Sequence, residues 1–369
     1  MAGGEINMET RKVQRTGKST FIVSLPKKWA TINSIEFGSI VYLSQSDNGS
    51  LILSVDRLEQ ELTAKLDIGD KSGEPLIRDI IACYVAGHRN IEVTSKHMSS
   101  AQKKDIRQIV NKLIGPEILE ETINKIVIRD LLSSEELQTK QALKRVKNVV
   151  RSLIQDSISS LINNDKDLAL DVIQRDDEVD RLNLLIARQF TEMLRSRSIH
   201  QEKLDSVTAL TYMQASSNLE RIADHASRIA EIASKHECTL NAEIAEELSK
   251  VQPIIVELLE DSVSCLLQTD SDKANKIIDK ALVIRRRSEE MANSANLRNG
   301  EKMLVGLVVA SSIERMLDYI MNLGELAINL SVSTIGTDVD QSPVSPLAKD
   351  QGVSTSPYRV EQRAVYSRG

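Results

Sequence analysis

Two segments of this chain read as the same helix written twice. SNLERIADHASRIAEIA (217–233) and SSIERMLDYIMNLGELA (311–327) share Ser, Glu, Arg, Asp, Glu and Ala at matching places, and their other positions stay mostly apolar. At about 100° per residue, Leu219, Ile222, Ala223, Ala226, Ile229 and Ala230 form one wide apolar stripe. Glu220, Asp224 and Glu231 share a narrow sector beside it, while Arg221, His225 and Arg228 lie on the far side. The second copy repeats the wheel with Glu314, Asp318 and Glu325. A chain that duplicates a core-facing helix has to bury both copies, so an internal duplication of about 95 residues is expected.

The surrounding stretch supports paired helical bundles. From about 135 to 332 the apolar spacing is helical throughout: Leu143, Val146, Val150, Leu153, Ser157 and Leu161 keep one core row, and Leu182, Ile186, Phe190 and Met193 another. The one proline here is Pro253. Aromatics make up only 3% of the chain, so its core has to be aliphatic. Two three-helix repeats are expected, at 135–235 and 243–332.

Like charges four apart on a helix cost a few tenths of a kcal/mol, on the order of 0.2–0.5, and partial burial raises that cost. The DDEVDRLNLLIARQF helix supplies a partner, because Asp176 and Asp180 lie together at the margin of its Val179, Leu182, Ile186 and Phe190 stripe. Two facing acidic pairs at a helix seam would make an all-oxygen cage for a hard cation. No His or Cys joins the set, which does not suit a structural zinc site. The competing reading is a solvated acidic edge, salt-bridged to nearby Lys and Arg. An acid–base pair is a third, but no nucleophile or pocket is legible beside it.

The amino-terminal part differs. VQRTGKSTFIVSL flanks a turn candidate at Thr16-Gly17-Lys18-Ser19, Ser24 is a candidate helix cap before Pro26, and SIVYLSQSDNGSLILSV forms a second hairpin through Asp47-Asn48-Gly49. Over 9–30 the cations Arg11, Lys12, Arg15, Lys18, Lys27 and Lys28 face only Glu9, six minus one or +5, in a chain whose net charge is −6. A β module of this size has too little core alone. Strand exchange with a second copy would bury Phe21, Val23, Ile40 and Leu53 and give a two-fold basic surface suited to DNA. Trp29 reads as core. The competing reading of the basic run is a solubilising surface.

Between these parts, 58–132 reads as a small α/β element. PLIRDIIACYVAG and SSAQKKDIRQIVNKLIG are its helices, ending at Gly87 and Gly115, and NIEVTS and INKIVIRDLL its strands; no chemical motif is visible in it. After Ser333 the chain turns rich in Ser, Thr, Gly and Pro, so 333–369 is expected to be a disordered tail. Cys83, Cys238 and Cys265 are far apart and form no CxxC pair, which points to a thiol-keeping cytoplasm. No apolar run approaches the ~20 residues needed to span a bilayer, and MAGGEINMET has no apolar signal core.

NLERIADHASRIAEIA, with RDDEVDRLNLLIARQ upstream, resembles the PhoU family of phosphate-uptake regulators over about 135–332. That resemblance implies two three-helix repeats whose paired acidic motifs hold multinuclear metal clusters, iron or zinc among them; magnesium is the hard-ion alternative. Carried over by position, it makes Asp176, Asp180, Glu220 and Asp224 one site, with Asp177 as an additional candidate ligand. KIIDKALVIRRRSEEM departs from the pattern, with Ala281 and Arg285 where the first repeat has its aspartates. The expectation is a cation at the first repeat at most and an Arg285 ion pair at the second. RKVQRTGKSTFIVSLPKKWATIN resembles the AbrB/SpoVT family over roughly 9–56, which implies a swapped-hairpin β-barrel dimer that binds DNA. Archaeal regulators that join the two modules are similar to this arrangement.

Together these readings predict a multidomain α+β protein: a swapped-hairpin barrel, a small α/β segment, then an all-α pair of three-helix bundles. The functional expectation is a non-enzymatic, cytoplasmic, dimeric regulator of phosphate uptake. DNA contacts would fall to Arg11, Lys12, Arg15, Lys18, Lys27 and Lys28. The alternative is an adaptor that docks on a phosphate transporter ATPase, its hairpin module serving only to dimerise. A carboxylate-bridged metal oxidase is disfavoured, because the Glu-x-x-His pairs of such bundles are missing.

Overall fold

The computed structural model describes residues 9–45, 50–55, 62–132, 138–195, 205–235, 240, 242–294 and 300–335. The turn residues Asp47-Asn48-Gly49, Cys238 and all but the first few residues of the predicted tail lie outside these.

Six long helices make the body: α4 (Thr139–Asn163), α5 (Lys166–Arg195), α6 (Ser206–Lys235), α7 (Ala242–Gln268), α8 (Ser271–Ser294) and α9 (Gly300–Ile335). The duplication is visible residue by residue. Val146, Val150, Leu153, Ser157 and Leu161 of α4 have counterparts in Val251, Ile255, Leu258, Ser262 and Leu266 of α7, and all ten are buried. Both α4 and α7 end on a left-handed residue, Asn164 at φ 54° and Thr269 at φ 55°. The Asp165 and Asp270 carboxylates that follow accept the Leu168 and Lys273 backbone N–H groups, starting α5 and α8 alike. These helix pairs repeat at a spacing of 105 residues (262 − 157), whereas α6 and α9 repeat at 94 (318 − 224). The single expected period of about 95 is therefore corrected: the α5–α6 connection is longer than its α8–α9 counterpart. The two repeats share one continuous aliphatic core, since α4 packs on α7 and α6 on α9.

The middle segment is a four-stranded sheet in the order β5-β6-β8-β7, from β5 (Thr63–Asp67), β6 (Asn90–Thr94), β7 (Pro116–Glu121) and β8 (Lys125–Asp130). The β5–β6 pair is parallel and the others antiparallel. Its core lies under α2 (Glu74–Val85) and α3 (Ser100–Lys112), around Leu76, Ile80, Ile106, Ile126 and Ile128. Helix α3 opens on a capping box between Ser99 and Gln102.

This segment is bolted to α5. Arg188 is only 2% exposed and donates to the carbonyls of Tyr84 (2.7 Å) and His88 (3.1 Å). Its guanidinium also meets Asp130 at 2.8 Å and Glu192 at 2.9 Å and lies over the Tyr84 ring. Eleven residues earlier on α5, Asp177 meets Lys112 of α3 at 2.8 Å.

In the amino-terminal module β1 (Gln14–Thr16) and β2 (Thr20–Ile22) form the first hairpin, whose turn contains Gly17 at φ +67°. Strands β3 (Tyr42–Gln45) and β4 (Leu51–Ser54) form the second. Between them α1 (Lys27–Ile32) begins directly after Pro26, which occupies the cap position; no side-chain cap is made, which corrects the assignment of that role to Ser24. The hairpins remain two separate two-stranded sheets, so a single chain makes no closed barrel among the described residues. Phe21, Val23, Phe37 and Ile40 are all more than half exposed, Leu53 and Trp29 half-buried. A barrel built by exchange takes its strands from two chains, so one chain cannot close it.

Candidate functional site

The seam between α5 and α6 brings acidic residues of separate helices together. Val179 and Leu182 on one side and Ile222, Ala223 and Ala226 on the other are buried at 0–1% exposure, which anchors the facing rows. Asp180, Glu220 and Asp224 then each present a carboxylate oxygen within 4.8 Å of the others. Asp176 sits one turn back on α5. One of its oxygens is buried with no hydrogen-bond partner, and the Ser227 hydroxyl bonds its carboxyl group.

The electrostatics follow from this crowding. Burial, then the charges of Asp180 and Asp224, push Asp176 up to about 6. Burial, then Asp224 and Asp180, push Glu220 up to about 7. Asp180 is raised by burial and by Asp224 and Asp177, with Lys112 opposing; Asp224 is raised by burial, with His225 and Arg221 opposing. Among the described residues no Lys or Arg forms an ion pair with any of the four. The neighbouring acids behave differently. Asp177 is held by Lys112 (2.8 Å), Glu178 by Arg145 (2.7 Å) and Glu231 by Lys235 (3.0 Å). Salt bridging thus accounts for these three, and Asp177 is committed to α3 rather than to the cluster.

An orphaned buried oxygen beside three converging carboxylates is a fit for a hard cation, whose charge would offset the repulsion and occupy the free lone pairs. Nitrogen does not enter the set: His225 stacks against Tyr319, ring centroids 6.0 Å apart, and Tyr319 is its own counterpart in the second repeat.

In the second repeat the corresponding seam is closed. Ala281, at the place of Asp176, is fully buried. Arg285, at the place of Asp180, brings Nε to 3.2 Å from Asp318 Oδ1, and Arg315 lies 3.6 Å from the same carboxylate. Glu325 sits apart from these, lining a shallow cleft between α6 and α9 with Asn218, Arg221 and Asn322.

The six basic residues of the amino-terminal module are all exposed. The Arg15 guanidinium donates to the Lys18 carbonyl across the β1–β2 turn, Arg11 turns to Glu9, and Lys27 and Lys28 occupy the first turn of α1.

Comparison with known proteins agrees with this division of the chain. The PhoU domain profile matches residues 143–233 and 248–327, and the profile of MazE, a bacterial antitoxin for antidote–toxin recognition, matches 14–59. The phosphate-specific transport system accessory protein PhoU homolog 1 of Thermotoga maritima is 27% identical over 48% of this chain and 78% of its own length. The corresponding homolog of Aquifex aeolicus is 29% identical over 39% of this chain and 64% of its own. The crystal structure of PhoU from Pseudomonas aeruginosa aligns with a TM-score of 0.48 at 21% identity, over 53% of this chain and 96% of that one. The chain therefore carries two PhoU domain repeats behind an amino-terminal domain of the MazE/AbrB-like kind.

Proposed function

We propose that this chain is a regulator of phosphate uptake that binds DNA as a dimer and holds a cation in its first PhoU repeat. The observation that carries the cation reading is the convergence of Asp180, Glu220 and Asp224 within 4.8 Å, next to an unpartnered Asp176 oxygen. The names of the relatives, accessory proteins of phosphate-specific transport, support the pathway. In this reading the repeats relay phosphate status, with the transporter's ATPase subunit as the partner class, and the protein works in the cytoplasm. No helix among the described residues is long and apolar enough to cross a membrane. No reaction is assigned to the site: its carboxylates hold the ion, and iron, manganese or magnesium suits oxygen donors better than structural zinc does.

The amino-terminal module supports the dimer. Phe21 and Ile40 are 70% and 74% exposed in one chain, and a second copy exchanging hairpins covers such surface. Pairing two modules also doubles a cluster of six exposed cations, the surface that phosphate backbones select. Metal content of purified protein tests the first half: Asp176→Ala with Asp224→Ala should abolish it, and equal content in both proteins defeats the cation reading. Binding to DNA upstream of phosphate-transport genes tests the second. Affinity should fall steeply with salt and drop in Arg11→Ala with Arg15→Ala. A dimer indifferent to that DNA would instead support the adaptor that docks on the transporter ATPase.

A further inference from the structure

The two seams of the body occupy the same place in the fold and solve the same problem differently. At α5/α6 the facing positions are Asp180 and Asp224, whose oxygens lie within 4.8 Å. At α8/α9 the equivalent positions are Arg285 and Asp318, 3.2 Å apart. The buried rows correspond position by position: Val172, Val179 and Ile222 are matched by Ile277, Ile284 and Met316, all buried. The position of Asp176 is filled by Ala281, whose methyl group is fully buried and offers no oxygen.

We propose that Arg285 is a covalently tethered cation that replaces the bound one, so that this chain takes up metal at its first repeat only and its second repeat is permanently closed. The guanidinium supplies the positive charge that Asp318 needs at the place where a metal would bridge the helices, and Arg315 adds a second positive charge 3.6 Å from the same carboxylate. Entry of a divalent ion there would have to displace a neighbour that cannot diffuse away. Among the described residues of the first repeat no Lys or Arg is ion-paired with the cluster: Lys112 of α3 is engaged with Asp177, and Arg221, the counterpart of Arg315, acts on Glu220 and Asp224 only through its charge. Arg285 is thus a specificity-determining residue that sets the number of metal sites per chain. The proposal rests on the cation reading of the first repeat.

Hydrogen exchange of the full chain, with Mn²⁺ and after chelation, tests this without altering the fold. Chelation should speed exchange in α5 and α6 and leave α8 and α9 unchanged; faster exchange in α8 and α9 as well overturns the proposal. Titration of Mn²⁺ into Ala281→Asp with Arg285→Asp should raise the count of bound ions per chain two-fold over wild type. A folded double variant that stays at the wild-type count also overturns it. In the reciprocal variant, Asp176→Ala with Asp180→Arg, bound Mn²⁺ should vanish and exchange in α5 and α6 should no longer respond to chelator; a retained response counts against the tethered-cation idea. A wild-type chain that binds no Mn²⁺, iron or magnesium removes the cation reading itself, an outcome distinct from those three.

Discussion

Replacing Asp180 with Asn removes one charge from the α5/α6 cluster and should have opposite effects with and without metal. Asp180 faces two carboxylates within 4.8 Å. One such repulsion is worth about 0.9 kcal/mol at a dielectric constant of 80 and about 3.5 kcal/mol at 20. Because Asp180 is partly open to solvent, screening keeps the value near the lower figure, so relief of both contacts amounts to roughly 1–2 kcal/mol. For a helical body of this size that corresponds to a rise in melting temperature of about 3–6 °C. Chelated protein at pH 7.5 should therefore melt higher as Asp180→Asn than as wild type. With Mn²⁺ at about a hundred times its dissociation constant the wild type gains about 2.7 kcal/mol, the variant much less, and the order inverts.

The pH dependence carries the same sign. Asp176 moves from 3.8 to about 6 and Glu220 from 4.5 to about 7 on folding, so both bind protons more tightly in the native state. Metal-free protein should lose stability as pH rises from about 4 to about 7, since the unfolded chain has already released these protons. Asp180→Asn should flatten that slope. Differential scanning fluorimetry across pH 4–8, with chelator and with Mn²⁺, reads both effects. A chelated variant that melts below wild type would show that Asp180 makes net favourable contacts, and the repulsion argument would fail.

Two further substitutions probe the junction with the α/β segment. Arg188→Ala strands Asp130, whose side chain is 8% exposed, without its cation and should cost about 3–5 kcal/mol, measured by urea unfolding. Gly115→Ala should cost about 2 kcal/mol or more, because its φ of +102° disfavours any side chain and a Cβ there would sit 2.3 Å from the Asp130 carboxylate. A near-neutral result for either would mean that the α/β segment does not depend on this junction.

The helices were legible because their 3.6-residue period runs unbroken and only the connections interrupt it. The same feature hid the second spacing: the acidic motifs recur at 94 residues, and the longer sequence between α5 and α6, through which the first two helices recur at 105, carries no periodic signal. Strand β7 was not legible, since PEILEE opens on proline and is half acidic, and β5 has only two half-buried side chains. The acid pairs were found from spacing, which set Asp176 beside Asp180 and left Asp177 as an additional candidate. Adjacent residues point about 100° apart, and the position of α3, with Lys112 at its end, adds that Asp177 is engaged by an ion pair outside the cluster. Arg188 reads as an ordinary polar residue; its burial comes from Tyr84, Asp130 and Glu192, which meet it only once the sheet has docked.

That docking decides what a cation in the first repeat can influence. Helix α5 carries the acidic row of the seam on one side and both ion contacts to the α/β segment on another, Asp177 and Arg188 spanning 11 residues (188 − 177), about 16 Å of helix. Asp177 follows Asp176 directly, so the Lys112 contact lies one residue from a cluster member, and Lys112 also opposes the rise at Asp180. A charge added at the seam would lie closer along α5 to the exposed Asp177–Lys112 contact than to the buried Arg188 contact. Helix α8 occupies the equivalent place in the second repeat but carries Leu282 and Val283, both exposed, at the positions of Asp177 and Glu178. On the proposed cation reading, the fold attaches its α/β segment to the helix pair that would hold the ion, and not to the pair bridged by Arg285 and Asp318.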